Sequence, residues 1–192
     1  DLAGDFEADV RDIETSFLNG RHTTQIFLGQ LPNRDVARAQ ILDAFNQGLS
    51  LISYVGHGGG AVWAGENILN SSDPASLLAQ PRQPFMLTMN CLNGYFIAPF
   101  YESLAEGFLK AQGKGTIAAF SPSGLSLDGP AHVFHRAGMQ EITGGQHTRL
   151  GDAILAAQKT YAQTGAMPEL LSLYHLFGDP AMRVRDASAH AA

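Results

Sequence analysis

Apolar and polar positions along the chain fall into two kinds of stretch: amphipathic segments of helical period, and short apolar runs bounded by glycine, asparagine or proline. Phe6, Val10, Ile13 and Phe17 recur at helical spacing between Asp5, suited to cap a helix, and Gly20, suited to end one, which predicts a helix over residues 5–19. Residues 23–28 are β-rich and read as a strand. A second helix is expected from Asn33 to Gly48, with Val36, Ala37, Ile41, Ala44 and Phe45 on its buried side. Two runs, 49–55 and 85–90, have almost no polar alternation. Such runs are the habit of strands covered on both faces in a parallel sheet, and a strand, helix and strand in this order imply a right-handed crossover.

Between those runs lies an irregular, turn-rich region, 61–84, with a short helix expected at 74–79. Beyond them the pattern predicts a helix over 101–112, a strand at 116–120 and a loop at 121–124. Helices follow at 130–142 and 150–164. A last strand is expected at 171–176, then a turn at 177–180 and a small strand at 181–184. The expected fold class is α/β, a three-layer α/β/α sandwich on a mostly parallel sheet. One domain is expected over 1–185, with a loose tail at 186–192.

Composition narrows the function more than the fold. With 192 residues, 45% apolar and 16% charged, the chain can bury one substantial core. A net charge of −6 without a basic stripe argues against nucleic acid as a partner. The single cysteine, Cys91, cannot form an internal disulfide. No signal peptide is visible and no apolar stretch is long enough to span a bilayer. The first residue is Asp1 in a polar segment, so the chain is expected to be a processed product or part of a longer protein.

In a parallel sheet the usual site lies beyond the carboxyl ends of the strands, where the chain turns out. The two apolar runs end at Gly56-His57-Gly58-Gly59-Gly60 and at Cys91-Leu92-Asn93-Gly94. A histidine that takes the cysteine proton turns the thiol into a nucleophile, and neighbouring parallel strands lie about 4.8 Å apart, close enough to bring two such loops together. Gly58 lets the backbone approach a substrate, and its N–H with that of Cys91 can face a developing oxyanion. The rival reading of Cys91 is a small buried hydrophobe, and both stand at this point. The glycine run lacks the Lys-Ser/Thr of a P-loop and the spacing of a dinucleotide fingerprint. Trp63, Glu66, Asn90, Asn93 and Ser121 are expected to border the cleft, with Asp73 and Glu66 placed either to orient His57 or to stay solvated. Asp179 is expected to fix the turn before Pro180. His132, His135, His147 and His175 are assigned no metal-ligand role.

Tyr54-Val55-Gly56-His57-Gly58 with Trp63 following, Asn90-Cys91-Leu92-Asn93-Gly94-Tyr95-Phe96, Glu102-Ser103-Leu104-Ala105-Glu106, Gly151-Asp152-Ala153 and Phe177-Gly178-Asp179-Pro180-Ala181-Met182 resemble, in order, the gingipain family of bacterial cysteine peptidases. The resemblance implies a caspase-like fold without the caspase signature around the cysteine. It implies His57 as general acid/base, Cys91 as nucleophile, and the Gly58 and Cys91 amides as oxyanion donors. It further implies a polypeptide substrate, no cofactor for the chemistry, and secretion or surface display by a bacterium. An upstream segment of the same precursor is implied as a partner, supplying an acidic companion for the histidine and part of the pocket. A basic residue before the scissile bond is the family's habit, but nothing in this chain displays it. Gly59 stands where many relatives place a serine. Two other readings accompany the endopeptidase: a sortase-like transpeptidase of the same family, and a non-catalytic peptide-binding or secretion-linked domain.

Overall fold

Side-chain caps fix where the first helices begin. The Asp5 carboxylate accepts from the Ala8 amide at 3.1 Å at the head of α1 (Phe6–Phe17). Asn33 accepts from the Asp35 and Val36 amides at 3.0 and 3.1 Å at the head of α2 (Arg34–Gln47), and Gly48, at φ 83°, ends it. In this computed structural model, which describes residues 2–183, the chain then forms β1 (Leu51–Val55), followed by a small antiparallel unit of β2 (Gly58–Gly59), β3 (Val62–Trp63) and β4 (Leu69–Asn70). After these come β5 (Phe85–Met89), α3 (Leu104–Lys110), β6 (Ala118–Pro122), α4 (Asp128–Thr143), α5 (Leu150–Gln163), α6 (Leu170–Leu173) and β7 (Tyr174–Gly178).

The main sheet has the order β1-β5-β6-β7, with β1, β5 and β6 parallel and β7 antiparallel to β6. Strand β5 is buried throughout, and its side chains alternate between two cores. Phe85, Leu87 and Met89 join Phe120, Ile13 of α1, Phe134 of α4 and Tyr161 of α5. Met86 joins Ala119, Trp63, Ala37 and Phe45 of α2, and Phe108 of α3. An apolar core on each face makes the expected three-layer α/β/α sandwich on a mostly parallel sheet. Fully burying a side chain such as Phe45 contributes about 1.5–3 kcal/mol.

Several expectations change. Residues 22–27 form no strand and lead into a 3-10 turn at Leu28–Gln30. Thr23 and Gln25 donate to Glu14, which draws the segment toward α1 instead of alongside β1, so tertiary contacts override β propensity. The predicted crossover from this segment therefore does not exist. Strand β1 ends the sheet and borders an open cleft of about 2480 Å³. Helix α3 is shorter than the pattern suggests, because the reciprocal capping box of Ser103 and Glu106 starts it at Leu104. The apolar run at 170–178 divides into the single turn of α6 and then β7, which runs antiparallel to its neighbour. Finally, the turn-rich stretch after His57 holds the β2-β3-β4 unit, which the pattern does not indicate. The expected strand at 181–184 shows an isolated bridge from Arg183 to Arg149. Val184 and the tail at 186–192 lie outside the described residues.

Candidate active site

Strands β1 and β5 pair in parallel with Val55 opposite Met89, and the Gly56 amide donates to the Met89 carbonyl at 3.3 Å. His57 and Cys91 therefore each stand two residues beyond a paired position, on the same edge of the sheet. The loops they begin touch. A β-carbon placed on Gly58 would lie 2.3 Å from Asn90 Nδ2 and 2.7 Å from the Cys91 carbonyl oxygen, so only glycine fits between the two chains. The join is fastened by Asn93, whose Nδ2 donates to the carbonyls of Gly59 at 2.6 Å and Val62 at 3.0 Å, while Asn90 donates to Asn93 Oδ1. Farther along, the Leu104 amide donates to the Gly60 carbonyl at 2.7 Å, and the Tyr101 ring lies over Gly60.

His57 is exposed, but its backbone is held. Its carbonyl accepts from the Tyr54 hydroxyl at 2.7 Å and from the Ala64 amide at 2.8 Å. Burial pushes the Tyr54 phenol well above its ordinary range, which keeps it a neutral donor. Its ring stacks on Trp63 with centroids 4.2 Å apart and planes 6° from parallel. Phe6, at the start of α1, meets the His57 imidazole edge-on at 5.2 Å.

Cys91 is half-buried and faces a single residue of the β6–α4 loop. Its Sγ accepts from the Ser126 amide at 3.4 Å and donates to the Ser126 carbonyl at 3.5 Å. Leu92 adopts φ 62°, a left-handed conformation uncommon for a branched side chain, and its amide donates to the Gly124 carbonyl at 3.1 Å. The Gly94 amide donates to the Pro122 carbonyl at 2.8 Å. Behind the loop, the Tyr174 and Ser126 hydroxyls meet at 3.2 Å.

The other sequence candidates occupy different places. Trp63 and Glu66 line the cleft beside β1, as expected, whereas Asn90, Asn93 and Ser121 are buried and do not line it. Ser121 is inside β6, which extends two residues past the predicted end, and its hydroxyl meets that of Thr88 at 2.7 Å. Glu66 is exposed, and its carbonyl accepts from Arg34 at 3.0 Å. Asp73 neither orients His57 nor stays solvated. It is buried against Arg38 and accepts from the Asn70 amide at 2.8 Å. His135 is fully buried on the Ser53 hydroxyl at 2.7 Å. Among the described residues, no group of three or more His, Cys, Asp or Glu side chains is arranged to hold a metal ion. Sequence reasoning missed Tyr54, Ser126 and Tyr174 as contributors. Tyr54 carries a faint signal, an aromatic hydroxyl inside a strand that is apolar but for it and Ser53, whereas Ser126 and Tyr174 carry none.

Comparison with known proteins identifies the family and the fold. Residues 4–185 match Peptidase family C25. Gingipain R2 of Porphyromonas gingivalis is 28% identical over 163 residues, covering 78% of this chain and 22% of that protein. Gingipain R1 of the same organism is 28% identical over 163 residues, covering 78% of this chain and 16% of its own length. The crystal structure of the Arg-specific cysteine proteinase gingipain R superposes with a TM-score of 0.74 at 21% identity, over 94% of this chain and 42% of that one. The complex of the RgpB pro- and mature domains from Porphyromonas gingivalis gives a TM-score of 0.74 at 22% identity, over 94% and 43%. The chain thus spans about a fifth of these curated relatives and about two-fifths of these solved chains. With residues 4–185 matched by the family model, the chain belongs to peptidase family C25.

Proposed function

We propose that this chain is the catalytic part of a cysteine endopeptidase acting through Cys91 and His57. The observation that carries the reading is the contact between their two loops, where a side chain of any size on Gly58 would strike the Cys91 carbonyl. His57 accepts the thiol proton, and Sγ attacks the substrate carbonyl. The resulting oxyanion faces the amides of Gly58 and Cys91. Collapse of the tetrahedral species breaks the C–N bond as the His57 imidazolium returns its proton to the leaving amine, leaving a thioester on Cys91. Water, deprotonated by His57, then attacks the thioester, and Cys91 leaves with the proton regained. Each step uses only these side chains, backbone amides and water.

An upstream segment of the same precursor is the proposed partner. Support comes from a structural neighbour that is itself a complex of pro- and mature domains, and from the open cleft along β1. Kinship with the Porphyromonas proteins supports a bacterial, secreted or surface setting. No helix among the described residues is long and apolar enough to cross a membrane.

The test is the pH dependence of Cys91 alkylation by iodoacetamide in the intact protein and in His57→Ala. A fast reaction that persists well below about pH 8.5, where an ordinary thiol titrates, and that disappears in the variant supports the pair. An ordinary thiol profile in both proteins overturns it.

A further inference from the structure

The two loops on either side of the Cys91 sulfur share a neighbour in β7. His175 lies opposite Ser121 in the register of β6 and β7, and its Nε2 meets the Ser123 hydroxyl at 2.9 Å. Its ring also receives Phe96 of the Cys91 turn edge-on, with centroids 5.3 Å apart and planes at 90°. One half-buried imidazole therefore touches both the turn that carries Cys91 and the β6–α4 loop that faces it. No step of the proposed chemistry uses this side chain.

Proton counting fixes the direction of its bond. Ser123 donates its one hydroxyl proton to the Leu173 carbonyl at 3.1 Å, so its oxygen is left to accept and His175 Nε2 carries the hydrogen. Burial holds the His175 pKa below its ordinary value, which keeps the ring neutral at neutral pH. Ser123 is thereby pinned to β7 by three bonds, the third from its own amide to Leu173 at 2.8 Å. Three residues later, Ser126 meets the sulfur with its N–H at 3.4 Å and its carbonyl at 3.5 Å. The chain between has little slack: Gly124 gives its carbonyl to the Leu92 amide, and a β-carbon on it would lie 2.7 Å from Leu173 Cδ2. Tyr174, on the opposite face of β7, holds the Ser126 hydroxyl at 3.2 Å. The loop is clasped from both faces of one strand.

Resting on the cysteine peptidase reading, we infer that His175 is a positioning residue for the reaction: by holding Ser123 it sets where Ser126 presents its backbone to Cys91, and so keeps the sulfur where His57 can take its proton. It acts through the loop and touches no reacting atom. Without its N–H, the Ser123 oxygen loses a donor, and the short span to Ser126 gains freedom that the sulfur must share.

The experiment measures iodoacetamide alkylation of Cys91 at neutral pH in the intact protein, in His175→Leu, in His57→Ala and in the double variant. His175→Leu is expected to slow the reaction about fivefold, the worth of one hydrogen bond. His175→Gln, whose amide still offers an N–H, should restore most of that loss. Once His57 is absent, the leucine should change nothing, because no base remains against which the sulfur is placed. Ser123→Ala deletes only the accepting hydroxyl; it should match His175→Leu, and it decides the matter where circular dichroism shows that leucine disturbs the fold. A parent that reacts fast through His57, with variants at 175 and 123 that react like it, overturns this inference and leaves the peptidase reading intact. So does a loss equally large with and without His57, or a glutamine as slow as leucine. A slow parent reaction unmoved by His57→Ala overturns both.

Discussion

The two halves of the site are built to different standards of rigidity. At the end of β5, the Cys91 turn emerges from a strand whose five residues are all buried, and backbone bonds tie it to the β6 side through Gly124 and Pro122. At the end of β1, His57 emerges from the terminal strand of the sheet, whose residues are only half-buried or exposed. That histidine is steadied by the Ala64 amide on its carbonyl and by two side chains, the Tyr54 hydroxyl below it and the Asn93 amide reaching across to Gly59 and Val62. The sheet itself places Cys91, the proposed nucleophile, whereas one backbone amide and a few replaceable side-chain hydrogen bonds hold His57, the proposed base. Catalytic geometry should therefore be lost from the histidine side first.

Gly58→Ala tests this contrast most severely. Its new methyl would require the β2 turn to move off the Cys91 loop, and activity is expected to fall by about 100-fold or more for a displacement of the order of 1 Å, with far-ultraviolet circular dichroism unchanged. Asn93→Leu comes next. It leaves two buried carbonyls without their donor, at a cost of about 1–3 kcal/mol each in unfolding free energy, and peptidase activity should drop while the intrinsic reactivity of the Cys91 thiol changes less. Equal losses in both readouts would show that the two loops form a single rigid unit.

His135 probes how β1 is tied to α4. Burial pushes its pKa down to about 3 from 6.5, so the unfolded chain binds a proton that the folded chain refuses. Stability from this residue is intact above pH 6.5 and is lost progressively as pH falls toward 3. Asp9, raised by burial to about 6 from 3.8, works in the opposite direction, since between those values the folded state takes up a proton that the unfolded chain releases. Urea unfolding of His135→Gln between pH 7 and 4 should show a flatter acid decline than the parent, or none. An unchanged slope would mean that the imidazole is not held neutral. The smallest effect belongs to Tyr54→Phe, which removes one hydroxyl from the His57 carbonyl while Ala64 still donates there. About 1 kcal/mol of stability and a several-fold loss in kcat/KM are expected, by chemical unfolding and by peptide hydrolysis.

The architecture was largely legible because the decisive signals are local. Asp5 and Asn33 cap helices, and the apolar runs ending in His57 and Cys91 read as parallel strands, as they are, with β5 buried as expected and β1 only half-buried or exposed. Where the reading failed, distant groups decided. Nothing within residues 23–28 reveals that Glu14 will draw their side chains, and nothing near Ser121 reveals that Thr88 will bury its hydroxyl. The same holds in the site. His57 and Cys91 could be found from strand ends and glycines, but Ser126 and Tyr174 matter only through where β6 and β7 bring them.

Leu92 adds a temporal consequence. A leucine held at φ 62° costs about 1–2 kcal/mol, part of which the local bond from the Tyr95 amide to the Leu92 carbonyl at 2.9 Å offsets. The other compensating partner, the Gly124 carbonyl, belongs to chain synthesised well after Cys91 itself. Until that later segment has been made and docked, the turn lacks this partner and Cys91 lacks its contacts with Ser126. On this account the surroundings of Cys91 are completed late in biosynthesis. Alkylation of ribosome-bound chains halted before and after Gly124 would reveal the moment at which the site comes into being.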